Sequence, residues 1–473
     1  MKSKYFTSLV VMATSAFPMV VHAADNKELN EIREQIKQLK QSCETRIQEL
    51  ESRLQQAETK AQNAEAAASQ ATAKAESAEK LSASTSTTPA SSTQTSKGIA
   101  AFNPATSLVL QGRYANLSQD PNNYRISGFL PGGEIGPGKR GFGLSETEVT
   151  MSANVDDKFF GQATLSVTPE NEIGVEEAYA LTNSLPAGVS VKAGRFFSGI
   201  GYQNEQHQHA WDFVDAPLAY QAFLGGQFGN DGVQFKWVAP TNTFFELGAE
   251  IGSGENFPGT ARNKNGSNAS ALTAKWGGDI GYSTSWSFGL SGLRTHAQNR
   301  EFNETDISGN DSVNAFSGKS SVGIVDFVVK YAPNGNPLVT NFKLQGEYFK
   351  RKEDGLLAYD SNGALGLTSL DTYRSSQSGW YLQGVYQFMP RWRVGFRYDR
   401  LDRGTIDLAS NGANLDFANF NPHKSTLMFD WSPSEFSRWR LQLARDQSQA
   451  GLTDNQLLLQ YIMTLGAHGA HKY

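Results

Sequence analysis

The chain has 473 residues, including 45 Gly, 28 Phe, 16 Tyr and a single cysteine, and its mean hydropathy is −0.44. Its formal net charge is −5, from 42 Lys plus Arg and 47 Asp plus Glu, which gives no reason to expect a nucleic-acid partner. No apolar run of 18 residues follows the N-terminus, so a helical membrane bundle is excluded and a β-rich chain stays open. A single cysteine also excludes a disulfide framework.

The first 23 residues have the pattern of a secretory signal peptide. Lys2 and Lys4 precede an apolar core, and Val21 and Ala23 stand at the third and first positions before a cleavage site. We therefore predict export, with cleavage before Ala24. A buried N-terminal helix is the alternative explanation for this pattern.

Residues 24–80 are rich in Glu, Gln, Lys and Ala and contain neither Gly nor Pro. Apolar residues recur from Leu29 to Ala78 at alternating steps of three and four, with one extra step of four at Cys43. The pattern predicts an α-helical coiled coil, dimeric or trimeric. A single solvated helix is disfavoured because it would gain nothing from an apolar stripe. The Ser/Thr-rich residues 81–101 then predict a flexible linker.

From residue 102 to residue 473 the hydrophobic pattern alternates with a period of two, in about 16 segments. The connections alternate between short and long, and the long ones are 118–141, 196–230, 252–268, 297–319, 351–376 and 402–423. Long loops at one end and short turns at the other are typical of an outer-membrane barrel. The sequence therefore predicts an all-β fold: a transmembrane antiparallel β-barrel of about 16 strands, with a secreted sandwich or solenoid as the alternative.

Alternation also assigns charged residues to the interior of this barrel. The predicted pore-lining residues are Arg391, Arg393, Arg397, Arg438, Arg440, Glu146, Glu148, Glu176 and Glu246. The acids fall on early strands and the arginines on late strands, which predicts two walls of opposite sign and little net selectivity. The alternative is that these charges pair with one another.

The third long connection, residues 196–230, is long enough to fold inward and narrow the bore. Its predicted constriction residues are Glu205, His207, His209, Asp212 and Asp215. A His-x-His pair followed by an acid predicts a zinc site formed by His207, His209 and Asp212. The alternative is that these side chains only anchor the loop by hydrogen bonds. No histidine stands beside a nucleophile on an inward strand face, so we expect no enzyme activity.

The run EEAYALTNSLPAGVSVKAGRFFSGIGYQNEQHQHAWDFVDAPLAYQAFLGG, from Glu176 to Gly226, resembles the phosphate-selective porin O/P-like family of Gram-negative outer membranes. The similarity is to a branch often labelled zinc-regulated or TonB-dependent outer-membrane receptor, and it extends from Phe102 to the closing LLLQYIMTLGAHGAHKY. It implies 16 strands, a homotrimer and an inward-folded third loop. The loop carries three acids and no Lys or Arg, so we do not expect phosphate selectivity. A coiled coil in place of a plug domain also argues against TonB-dependent transport.

Together these features predict an outer-membrane porin. It would sit in outer-membrane lipid, with its coiled coil in the periplasm, and let small hydrophilic solutes or ions diffuse through it. Zinc is the one cofactor that the sequence suggests. The alternative functions are a zinc-linked receptor or uptake protein and a structural tether of the cell envelope.

Overall fold

The computed structural model describes residues 104–130, 132–133, 135–169 and 172–466, together with Lys37 and Lys40, which are both helical. The signal peptide, the linker up to residue 101 and the rest of the coiled coil lie outside the described residues, so these three stay predictions. No helix in the described part of the chain is long and apolar enough to cross a membrane.

The described chain forms one sheet of 17 antiparallel strands. The strands are β1 Ala105–Leu117, β2 Gly141–Leu144, β3 Thr147–Asn154, β4 Phe159–Val167, β5 Ile173–Thr182, β6 Val189–Phe197, β7 Gly229–Val238, β8 Phe244–Gly252, β9 Ala269–Ile280, β10 Thr284–Thr305, β11 Asp311–Tyr331, β12 Asn341–Tyr359, β13 Ser369–Met389, β14 Trp392–Asp407, β15 His423–Ser434, β16 Ser437–Gln447 and β17 Asp454–Gly466. One α-helix, Leu218–Leu224, and four short 3-10 helices, Pro121–Asn123, Pro186–Gly188, Gln208–Ala210 and Ala409–Ala413, complete the described elements.

The sheet closes on itself, because β1 pairs with β17 on one side and with β2 and β3 on the other. β2 and β3 both pair with β1, so they occupy one strand position that is interrupted at Ser145 and Glu146. The 17 segments therefore make a barrel of 16 strand positions. The predicted all-β barrel of about 16 antiparallel strands is confirmed.

Side chains along the strands alternate between a polar interior and an apolar exterior. In β17, Gln456 and Gln460 are each 3 % exposed, whereas Leu457 is 37 % and Leu459 is 38 % exposed. This is the reverse of the pattern in a soluble barrel, where the apolar face is the buried one. The exterior of this barrel is thus an apolar surface, which is unfavourable in contact with water.

Two of the predicted long connections are mostly strand. β10 and β11 leave only residues 306–310 between them, and β12 and β13 leave only residues 360–368. The ends of these strands carry polar residues on both faces, such as Asn299, Arg300 and Glu301 in β10. Without an apolar face there is no alternation for sequence analysis to detect, so the prediction of long loops at 297–319 and 351–376 was wrong.

A β-bulge in β5 changes which side chains face inward. Thr164 in β4 pairs with Glu177, but the next residue, Leu165, pairs with Val175, so Glu176 is an extra residue. Because the extra residue breaks the alternation, Glu176 and Glu177 both reach the same group, His207.

The 31 residues between β6 and β7, residues 198–228, are called the central loop below. Its α-helix, Leu218–Leu224, is buried along its whole length and ends at Gly225, which has a φ of 66°. Phe223 stacks on Phe349 of β12 with ring centroids 6.0 Å apart, and Tyr220 meets the same ring edge-on at 5.0 Å. This packing fixes the loop helix against β12.

Candidate functional site

The central loop is hydrogen-bonded to strands from widely separated parts of the barrel. Ser198 Oγ donates to Glu250 of β8 over 2.6 Å, and the backbone N–H of Tyr202 donates to Glu347 of β12 over 3.2 Å. Further contacts run from Val214 N to Gln442 of β16 and from Leu218 N to Asp399 of β14. The loop is therefore held by many strands rather than by its two neighbours alone.

His207 is the most heavily contacted ionisable group of the loop. Its Nδ1 lies 3.0 Å from Glu148 Oε2 and 3.2 Å from Glu176 Oε2, and its Nε2 lies 3.0 Å from Glu177 Oε2. Burial opposes a charged ring, but the hydrogen bonds with the three carboxylates outweigh it and raise the pKa of His207 well above its usual value. A proton is therefore held strongly on this imidazole.

His209 shares one of these carboxylates. Its Nδ1 lies 2.9 Å from Glu148 Oε1, so that Glu148 bridges the two histidines. The two rings stack with centroids 5.7 Å apart and an interplanar angle of 29°. Glu148, Glu176, Glu177, His207 and His209 are called the histidine–carboxylate cluster below.

Glu205 is neutralised by two lysines of neighbouring strands. Its carboxylate lies 2.7 Å from Lys236 Nζ of β7 and 3.3 Å from Lys275 Nζ of β9. Burial would raise its pKa, but the two lysines dominate and hold the pKa of Glu205 well below its usual value. Glu205 thus anchors the loop as an anion.

Asp212 does not join the histidines, contrary to the predicted set of zinc ligands. Its carboxylate lies 2.8 Å from Lys343 Nζ of β12 and 3.0 Å from Arg393 Nη1 of β14. Burial opposes ionisation here too, but Lys343 and Arg393 outweigh it and keep the pKa of Asp212 well below its ordinary value. Two cations held this close make Asp212 unsuitable as a ligand for a third.

Asp215 joins the loop to β14 and β15. Arg397 Nη2 donates to its Oδ1 over 3.1 Å, and Lys424 Nζ donates to its Oδ2 over 2.8 Å. Gln442 of β16 adds a hydrogen bond of 2.7 Å to Oδ1. All three acids of the loop are therefore paired with cations of the strands, which favours the predicted alternative that the interior charges pair.

Arg438 and Arg440 contact the backbone of the central loop, and Arg393 also bonds a strand acid. Arg440 Nη2 donates to the carbonyl oxygen of Trp211 over 2.7 Å, and Arg438 Nη1 approaches the same oxygen at 3.4 Å. Arg393 Nε bonds Asp430 over 2.9 Å. Lys343, Arg393, Arg438 and Arg440 with Asp212 and Asp430 are called the basic cluster below, and four cations against two anions leave it with an excess of positive charge.

The other predicted pore-lining residues have different environments. Arg391 lies outside the strands, in the turn between β13 and β14, with a φ of 72° and a hydrogen bond to Pro433 O, so its assignment to a strand face was wrong. Glu246 lies 3.7 Å from Lys236 Nζ. The carboxylate of Glu146 lies close to those of Glu148 and Glu176.

Two groups of contact residues were missed from the sequence. Glu177 was missed because simple alternation turns it away from the interior, and only the bulge brings it back. The second group is Tyr220 and Tyr381, whose hydroxyls donate to Glu347 of β12 over 2.9 and 2.6 Å. A tyrosine on an inward strand face opposite an acid is a signal that could have identified Tyr381.

The fold and the loop define the class of this protein. It is a closed barrel of 16 antiparallel strand positions with a polar interior and an apolar exterior, and a long loop is hydrogen-bonded to strands around the barrel. No family model matches the chain. An uncharacterized protein of Aquifex aeolicus (strain VF5) is 31% identical over 393 residues, which is 79% of this chain and 80% of that protein. The chain belongs to the same family as this Aquifex protein.

Several solved outer-membrane barrels are similar in structure. The anion-selective porin of Comamonas acidovorans has a TM-score of 0.46 and 11% identity and covers 77% of this chain and 99% of its own. OmpF of Salmonella typhi has a TM-score of 0.46 and 12% identity over 76% of this chain and 97% of its own. The channel DcaP of Acinetobacter baumannii has a TM-score of 0.44 and 13% identity over 77% and 96%.

Proposed function

We propose that the protein is a passive outer-membrane porin, in which small hydrophilic solutes or ions diffuse through the barrel past the central loop. The observation that carries this proposal is the pairing of loop residues with buried polar residues on strands all around the barrel. Glu148 on β3, Glu347 on β12 and Asp399 on β14 all contact the loop, and all three are buried. Such contacts fit a loop that folds into the lumen and narrows it.

The exterior supports a position in a lipid bilayer. Apolar side chains stand exposed along many strands, among them Phe235, Leu272, Phe396, Leu441 and Leu459. A closed sheet bonds every backbone donor and acceptor within the barrel, which is the condition for crossing hydrocarbon with strands. Trp392 and Trp431 stack with ring centroids 5.4 Å apart at the ends of β14 and β15, as interfacial aromatic residues do.

The charges inside the barrel support broad rather than phosphate-specific passage. Glu205, Asp212 and Asp215 are each neutralised by strand cations, so the loop presents little free negative charge. Arg438 is half-buried within the basic cluster and keeps part of its surface open to water. We therefore expect weak selectivity, with a bias towards anions where solutes pass the basic cluster.

The assembly and the N-terminal region complete the proposal. We expect a homotrimer in the outer membrane, with residues 24–80 forming a coiled coil in the periplasm. Chemical cross-linking of the purified protein would test the trimer. Deletion of residues 25–80 would test the alternative of an envelope tether, which predicts weakened envelope integrity with unchanged permeability.

Planar-bilayer recording of the purified protein tests the channel. We expect stepwise conductance increments from the full chain. Replacement of residues 201–227 by a short Gly/Ser linker is expected to raise the size of each step, because the constriction would be removed. Absence of steps from correctly folded protein would overturn the proposal, and unchanged step size in the loop variant would overturn the role of the loop.

The zinc-linked alternative requires a metal site. Within the described residues, the ligand geometry favours such a site around Glu148 rather than around Asp212.

A further inference from the structure

We infer that the histidine–carboxylate cluster is a binding site for a divalent transition-metal ion. The ligands are His207, His209 and Glu148, with Glu176 as the fourth. One ligand atom from each of Glu148, His207 and His209 lies within 4.8 Å of the others. Two imidazoles with carboxylates suit zinc and its first-row neighbours, and they do not suit calcium or magnesium, which take oxygen ligands.

Three contacts between the proposed ligands are close to the spacing that a tetrahedral site requires. Bond lengths of about 2.0–2.1 Å to zinc place the ligands of a tetrahedron about 3.3 Å from one another. His207 Nδ1 lies 3.0 Å from Glu148 Oε2 and 3.2 Å from Glu176 Oε2, and His209 Nδ1 lies 2.9 Å from Glu148 Oε1. These three contacts are each within a few tenths of an ångström of that spacing.

Glu177 is positioned as an outer partner of His207. An outer partner is a group that accepts a hydrogen bond from the ring nitrogen that does not bind the metal. Its Oε2 lies 3.0 Å from Nε2 of His207, on the side of the ring away from Glu148 and Glu176. A carboxylate there keeps the proton on Nε2 and directs the lone pair of Nδ1 towards the metal. The bulge at Glu176 makes this arrangement possible, because it brings a ligand and its outer partner from consecutive residues to one ring.

Carboxylates surround both histidines of the cluster. Glu148, Glu176 and Glu177 each lie within hydrogen-bond distance of an imidazole nitrogen, and all three side chains are largely buried. A divalent ion bound between them would offset the negative charge of these carboxylates. A metal bound at Nδ1 of His207 would take the place of a proton there.

The ligands are held on rigid elements, which favours binding by a preformed site. Glu148 pairs with Val109 of β1 and with Ser166 of β4 in the closed sheet. His207 and His209 flank the start of a 3-10 turn, in which Ala210 N donates to His207 O over 2.9 Å. Ligands positioned in this way lose little freedom when a metal binds.

Cobalt titration of the full chain in detergent, after treatment with a chelator, tests the site. Co²⁺ reports a low-coordinate nitrogen and oxygen site by its visible absorption, and Zn²⁺ should abolish that absorption by displacement. We expect one equivalent to bind. Glu177→Gln should weaken binding by about 10- to 100-fold, as removal of an outer partner does. His207→Ala combined with His209→Ala should abolish it.

His423→Ala is the matched control, because this histidine lies on β15 with Gln447 as its partner, outside the cluster. It should bind cobalt as the wild type does. Glu148→Gln keeps the shape of the side chain and removes a ligand, so it tests the site even if the double histidine variant does not fold.

Three results would overturn the site: no cobalt absorption from the wild type, wild-type affinity in Glu148→Gln, or equal loss of binding in His423→Ala. Metal binding is measured without transport, so failure of the channel in bilayers would leave this result intact.

Discussion

The guanidinium of Arg397 on β14 is bonded twice to Asp215 of the central loop: Nη1 donates to the backbone oxygen over 2.8 Å and Nη2 to the carboxylate over 3.1 Å. The same arginine donates to Asp399 over 2.9 Å. Arg397 thus binds both the backbone and the carboxylate of a residue in the loop that follows β6.

Asp215→Asn should loosen this attachment. Arg397 and Lys424 would each lose one buried anionic partner while keeping Asp399 and Asp446. Hydrogen bonds to charged groups are worth about 1.5–3 kcal/mol, so we expect a loss of roughly that size in the free energy of unfolding. Urea unfolding of the protein in lipid vesicles measures it. Asp157→Asn, in an exposed turn, is the control, and an equal loss there would contradict the prediction.

The contribution of protonated His207 to the free energy of unfolding should be visible in its pH dependence. Its pKa is raised in the folded state, so the protonated ring stabilises the native protein. That contribution is complete below the unfolded pKa of about 6.5 and is lost as pH rises through the folded value. In the presence of a chelator, the difference in unfolding free energy between wild type and His207→Gln should therefore be largest below pH 6.5 and shrink at higher pH. A difference that grows with pH would refute this.

The acids of the loop should stabilise the folded protein at neutral pH and lose this effect at acidic pH, which is the opposite of the dependence expected for His207. Asp212 and Asp215 have pKa values held below their usual range by Lys343, Lys424 and the neighbouring arginines, although burial opposes this. Their contribution is present above the unfolded pKa of about 3.9 and is lost as pH falls. Asp212→Asn should thus reduce the stability of the protein at pH 7 and bring it closer to the wild type at strongly acidic pH, which the same unfolding assay can follow.

Tyr220→Phe should destabilise the packing of the loop helix on β12. Its hydroxyl donates to Glu347 over 2.9 Å, and both residues are buried. Loss of one donor to a buried carboxylate is expected to cost about 1–3 kcal/mol. Thermal unfolding followed by circular dichroism measures the effect. Tyr282→Phe serves as the control because Tyr282 is 83 % exposed, and we expect no change there.

Arg438→Gln should shift the ion selectivity of the channel towards cations. This residue belongs to the basic cluster and is only half-buried, so on the proposed solute path its charge would act on passing ions. We expect the anion-to-cation permeability ratio to fall by a factor of a few, as measured by the reversal potential in a salt gradient. Arg400→Gln is the matched control, since Arg400 is exposed on β14. Unchanged selectivity in Arg438→Gln would place the basic cluster away from the ion path.

The barrel was predictable because exposed apolar residues and buried polar residues alternate along most strands. In β17 the exposed Leu457 and Leu459 and the buried Gln456 and Gln460 follow the period of two that the sequence shows. The prediction failed where that contrast disappears, as in the polar ends of β10 to β13. It also failed at Arg391, which alternation assigned to a strand although it lies in a turn.

The site was less predictable, because its partners come from distant strands. His207 and His209 were identified as a pair, but their carboxylate came from Glu148 on β3 instead of from Asp212, three residues further along. Spacing along the chain says nothing about which strand faces a loop. Nor does it reveal the bulge at Glu176, and without that bulge alternation assigns Glu177 to the outer face.

Closure of the barrel by β1 and β17 has a consequence for the order of folding. Gln460 Nε2 donates to Gln111 Oε1 over 3.0 Å, although these residues are 349 positions apart. Joining chain ends at that separation costs about 5 kcal/mol of loop-closure entropy, far more than any neighbouring hairpin. We therefore expect the β1–β17 pairing to form last. The central loop would then be enclosed by strands that assemble around it, so that it acts as a template during assembly.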